Sequence, residues 1–65
     1  MKIKLDDVLA AIQEDDNLGF CLNCGEQQGG VEPDAEHYRC EACGHMDVFG
    51  AEQILLLGQV EGGGN

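Results

Sequence analysis

The 65-residue chain has no serine, no threonine and no tryptophan, and its single proline is Pro33. Without serine or threonine there is no hydroxyl nucleophile of either type, and no phosphate-cradling P-loop or dinucleotide glycine motif is present. Basic residues are almost as scarce: Lys2, Lys4 and Arg39 stand against thirteen acids, giving a formal charge of -10. Neutralising phosphate needs lysine and arginine, so no direct nucleic-acid binding is expected, and no binding to anionic membrane surfaces. No run approaches the roughly 20 apolar residues of a membrane span. The aromatics are only Phe20, Tyr38 and Phe49.

What is abundant is glycine and, for so short a chain, cysteine. Chains of this size bury too little apolar surface to offset their conformational entropy, so a staple is expected. Cys21, Cys24, Cys40 and Cys43 are the only candidates, spaced C-x2-C-x15-C-x2-C. Residues 1 to 20 open with MKIKLDDVLAAIQEDD, which is amphipathic and acidic rather than a basic head on an apolar run. A cytoplasmic location is therefore expected, where disulfides are disfavoured.

The apolar positions Leu5, Val8, Leu9 and Ile12 recur at helical spacing, with Asp6 and Asp7 at the positive end of the helix dipole. The pattern predicts a helix over about 5–15, stopped by Asn17 and Gly19. From about 20 to 50 the glycines, cysteines and short runs around Val31, Tyr38, Val48 and Phe49 predict small strands. Pro33 and Asp34 fit the second and third positions of a turn. AEQILLL predicts a helix over about 51–57, bounded by Gly50 and Gly58. Ile54 to Leu57 point all round its axis, so one face cannot hold them all. A single domain over 1–60 is expected, with 61–65 as a flexible tail.

A C-x-x-C pair directs both sulfurs at one ion when the chain between them turns tightly. The glycine after each pair, Gly25 and Gly44, suits the positive φ that aims backbone N–H groups at the thiolates. The spacing points to a structural zinc site, with Cys21, Cys24, Cys40 and Cys43 as ligands. Iron is the alternative, and disulfides or a redox dithiol are further ones. His37 and His45 are near the cysteines, but four thiolates complete a tetrahedron, which leaves both rings a surface or supporting place.

The paired C-x-x-C-G knuckles are similar to those of rubredoxins, which separate their pairs by a longer segment and are richer in aromatics. The stretch GFCLNCGEQQGGVEPDAEHYRCEACGHMDVFGAEQILL, residues 19 to 56, resembles small zinc-ribbon proteins of bacteria and their phages. Those share two cysteine pairs, an E-P-D-A loop and a V-[FY]-G-A-E segment that opens a helix. Here Glu32, Pro33, Asp34 and Ala35 match the loop, and Glu36 stands where an arginine is expected. The resemblance implies a small metal-bound α+β fold, a zinc ribbon with rubredoxin-like knuckles flanked by an N-terminal and a C-terminal short helix. It implies the four cysteines as ligands and carries no activity with it. The expected function is a non-enzymatic interaction module with a protein partner or a second copy. A rubredoxin-like iron electron carrier is one alternative; a ribbon associated with transcription or translation machinery, or one mimicking nucleic acid, is another.

Overall fold

The computed structural model describes residues 3–14 and 17–61. The chain is a small α+β fold with the order β1 (Ile3–Lys4), α1 (Leu5–Glu14), β2 (Gly19–Cys21), β3 (Gln27–Gln28), β4 (Val48–Gly50), α2 (Ala51–Leu57) and β5 (Val60–Glu61). Strands β2, β3 and β4 form an antiparallel sheet in the order β3-β2-β4, and β1 pairs in parallel with β5.

Helix α1 runs from Leu5 with Asp6 and Asp7 in its first turn. Residue 15, the expected last residue of this helix, lies outside the described residues. Of the predicted stripe, Val8 is buried, Leu5 and Ile12 are half-buried, and Leu9 is exposed. The buried face has turned toward Ala11. A small residue at a helix contact lets the partner helix approach closely, and here the partner is α2. Asn17, with φ 53°, makes the left-handed turn after the helix. Gly19 is no stop; it opens β2 and pairs with both Gln28 and Gly50.

Helix α2 keeps the predicted bounds, and Gly58, with φ 73°, closes it by donating to the carbonyls of Ile54 and Leu55. Its first turn has no side-chain cap. Instead the loop at 32–36 supplies the acceptors. Ala35 N–H donates to the Glu32 carbonyl at 3.0 Å, closing the turn with Pro33 and Asp34 at its centre. Pro33 carbonyl then accepts Gln53 N–H at 3.0 Å, which satisfies one of the orphan donors at a helix start. Gly50 is pressed against this loop, so that a Cβ there would lie 2.0 Å from the Glu32 carbonyl oxygen. Glu36, in the place of the expected arginine, accepts a hydrogen bond from Gln53 Nε2 and fastens the loop to α2.

Two apolar clusters result. One joins Ile3, Val8, Ala11, Phe20, Phe49, Ala51 and Ile54, with Ile12, Leu18, Leu22 and Val60 packed against it. The other joins Cys21, Val31, Ala35, Cys40 and Val48, with Cys24 and Cys43 at its rim. Strands β2 and β4 connect them, since Phe20 pairs with Phe49 and Cys21 with Val48. Val31 is buried without belonging to a strand, and Tyr38 makes a single bridge to Val48. Glu61, assigned by composition to the tail, is the last residue of β5; 62–65 lie outside the described residues.

Candidate metal centre

The cysteines sit on two knuckles built alike. Cys21 ends β2, and its N–H donates to the Glu26 carbonyl at 3.0 Å; Cys40 N–H donates to the His45 carbonyl at 2.8 Å. Each turn is closed again inside by a glycine. Gly25 N–H donates to the Cys21 carbonyl at 2.8 Å with φ 84°, and Gly44 N–H to the Cys40 carbonyl at 2.9 Å with φ 82°. An L side chain adopts this left-handed conformation at a cost of about 1–2 kcal/mol, which is why glycine follows each pair.

The sheet brings the two knuckles face to face. Leu22 N–H donates to the Asp47 carbonyl at 2.9 Å, and the Tyr38–Val48 bridge sets the chain entering the second knuckle beside β4. Gln28 adds a side-chain clasp, donating from Nε2 to the Arg39 carbonyl at 3.1 Å and accepting Glu41 N–H on Oε1 at 3.0 Å. One amide therefore does what a further pair of strand hydrogen bonds would do.

The four sulfurs converge. Cys21 Sγ and Cys43 Sγ are 3.7 Å apart, Cys24 Sγ and Cys40 Sγ are 3.6 Å apart, and all four lie within 4.8 Å of one another. A disulfide requires about 2.05 Å, and all four cysteines are free. Metal–sulfur bonds of about 2.3 Å in a tetrahedron place the sulfurs about 3.8 Å apart, so the Cys21–Cys43 and Cys24–Cys40 pairs already stand at the separation that one four-coordinate thiophilic ion needs.

The inner sulfurs, on Cys21 and Cys40, are buried, and the outer ones, on Cys24 and Cys43, are half-buried. Each inner sulfur faces two backbone N–H groups: those of Asn23 and Cys24 at 3.3 and 3.5 Å from Cys21, and those of Ala42 and Cys43, both 3.4 Å, from Cys40. Such donors offset the two net negative charges of a dication held by four thiolates. The outer thiols are pulled in opposite directions. The backbone N–H of His45, then the Asn23 amide, bring Cys43 down to about 6. At Cys24 the Glu26 backbone N–H lowers the value, but desolvation and contact with the other three sulfurs outweigh it and push it up to about 12.

Neither histidine belongs to the four-sulfur set. His37, at φ 59°, places Nδ1 3.2 Å from the Met46 carbonyl and its ring edge-on to Phe49. The pKa of His45 is raised, first by its contact with Cys43, and Asn23 Nδ2 lies 3.2 Å from His45 Nδ1. Asn23 also reaches Cys43 Sγ at 3.5 Å. The spacing of the cysteines predicts neither Asn23 nor Gln28, because nothing in a C-x-x-C pattern marks which intervening side chain will cross to the facing turn.

No protein-family model matches this chain, and no curated protein or solved structure matches it significantly. Among the described residues, no helix is long and apolar enough to cross a membrane.

Proposed function

We propose that residues 1–61 form one zinc-ribbon domain in which Cys21, Cys24, Cys40 and Cys43 hold a single Zn2+, and that the domain is a cytoplasmic, non-enzymatic protein-binding module. The observation that carries the metal assignment is the convergence of four free sulfurs within 4.8 Å on two glycine-closed knuckles. Zinc bound by four thiolates has no open position for water, so its part is structural and its binding free energy serves folding. Elemental analysis of protein produced with both metals in the medium tests the assignment. One zinc per chain is expected; stoichiometric iron would convert the reading to an electron carrier.

The interaction reading is supported by the outer surface of α2. Ile54 is fully buried, whereas Leu55, Leu56 and Leu57 are 39%, 80% and 47% exposed. At 100° per residue, Glu52 stands between Leu55 and Leu56 on this outward surface. A leucine ridge on a chain of charge -10 suits a partner segment that is both apolar and basic, and a second copy brings another -10 against it. Titration with a helical peptide of leucines and lysines, followed by NMR, is expected to shift α2 signals, and Leu56→Glu to abolish the shifts while the fold persists. Self-association of the wild type through these leucines would replace the basic partner by a second copy.

A further inference from the structure

The two knuckles correspond position by position, and their differences at the third and sixth positions bear on the outer sulfurs. Cys21 through Glu26 match Cys40 through His45, with the same closing hydrogen bonds and the same glycine. The inner sulfurs are equivalent, each facing two backbone N–H groups. Cys24 and Cys43 are both half-buried, and both belong to the outer side of the cluster.

What separates them is side-chain donors. The third position of the first knuckle is Asn23, whose Nδ2 crosses to Cys43 Sγ at 3.5 Å; the same amide nitrogen is 3.2 Å from His45 Nδ1, which holds its orientation. The third position of the second knuckle is Ala42, which has no polar side chain to return. The sixth position is His45 in the second knuckle and Glu26 in the first, and an ionised carboxylate only accepts. Cys43 thus faces a donor from the opposite turn, and among the described residues no side-chain N–H reaches Cys24 Sγ.

We propose that Cys24 is the reactive sulfur of the metal centre, the position at which a soft carbon electrophile modifies it, and that Asn23 shields Cys43 from the same attack. The proposal rests on the metal reading, because bound metal keeps all four cysteines as thiolates. Differences in reactivity then reflect the nucleophilicity of each sulfur, which falls as hydrogen-bond donors stabilise its charge. With iodoacetamide, the Cys24 sulfur forms a bond to the methylene carbon, the carbon–iodine bond breaks, and iodide leaves with the electron pair. The product is a neutral thioether, a poor ligand, and three thiolates remain on the metal.

The experiment treats zinc-loaded full-length protein with less than one equivalent of iodoacetamide and places the adduct by fragmentation of the intact chain in a mass spectrometer. The first adduct is expected at Cys24, exceeding that at Cys43 by about threefold or more. Even labelling of the two outer sulfurs, or first labelling of Cys43, Cys21 or Cys40, overturns the proposal. Asn23→Ala is expected to raise labelling of Cys43 to the level of Cys24, and Ala42→Asn to slow labelling of Cys24. Unchanged Cys43 labelling in Asn23→Ala, with zinc still bound, overturns the shielding role. Zinc content is read from the same samples by native mass spectrometry: a chain that holds no metal overturns the metal reading and this proposal together, whereas a zinc-loaded chain labelled evenly overturns this proposal alone.

Discussion

Around the two helices the buried residues are Ile3, Val8, Ala11, Phe20, Phe49, Ala51 and Ile54, whereas between the knuckles they are Cys21, Val31, Ala35, Cys40 and Val48. The first set contains two phenylalanines and two isoleucines, enough to exclude water by packing. The second has nothing larger than valine, and its centre is sulfur. Burial of a fully enclosed Val or Ile contributes about 1.5–3 kcal/mol, so the knuckle side gains little from its few apolar groups. The ion that the four sulfurs are proposed to hold would supply the cohesion that packing does not. One small chain thus uses two different means of holding together, joined through β2 and β4.

The largest expected effect comes from taking the metal away. A strong chelator or Cys40→Ser is expected to collapse amide dispersion in both regions, because Phe20 and Cys21 are neighbours on one strand and Val48 and Phe49 on another. Persistent native signals from α1 and α2 in the metal-free NMR spectrum would instead show the helical region to be independent. Next, Ile54→Ala is expected to cost about 2–5 kcal/mol in denaturant unfolding of the metal-bound protein, against within about 0.5 kcal/mol for Leu56→Ala. Equal losses would contradict the inside and outside assigned to α2.

Two glycines sharpen the contrast further. Gly50→Ala forces a Cβ to 2.0 Å from the Glu32 oxygen and 2.3 Å from that of Pro33, both backbone, and about 3 kcal/mol is the expected loss. Gly44→Ala meets nothing within 4 Å and suffers only the cost of φ 82°, about 1 kcal/mol. Denaturation midpoints of the two variants, compared at equal zinc occupancy, check the order.

The smallest effect is electrostatic and lies on the exposed loop. The Tyr38 hydroxyl donates to Glu32 and holds that carboxyl below its ordinary 4.5, while the same hydrogen bond raises Tyr38 above 10.0. The Glu32 contribution to stability is present above about pH 4.5 and lost as pH falls through its lowered folded value. The Tyr38 contribution is present below about pH 10 and lost as pH rises through its raised folded value. Carboxyl NMR titration of Tyr38→Phe is expected to return Glu32 toward 4.5. An unchanged Glu32 titration would show the contact to be absent in solution.

Much of this was legible because it is local. Gly50 and Gly58 mark both ends of α2, and C-x-x-C-G specifies a turn whose glycine needs positive φ. Pro33 announces its turn equally well. The strands β1 and β5 were not legible: each has two residues, and parallel partners at opposite ends of a chain leave no local pattern. Leu9 looked core by periodicity and Ala11 did not, since the rotation of α1 is decided by how near α2 can come. For the same reason the side-chain bridges of Asn23 and Gln28 depend on the facing turn rather than on their neighbours in sequence.

The parallel pair has one consequence for the chain as a whole. Ile3 stands opposite Val60, and Ile3 N–H donates to the Gln59 carbonyl at 3.0 Å, so the two described ends lie side by side, about 4.8 Å apart as paired strands are. The path of the backbone is nearly a ring. Its closure joins residues separated by almost the entire sequence, and such a loop carries the largest entropic cost of any contact here. A covalent linker between the ends would remove that cost in advance. New termini opened between Gly29 and Gly30, both exposed and at positions where an added Cβ would meet nothing within 4 Å, would then give a circular permutant with its helices and knuckles in their present arrangement.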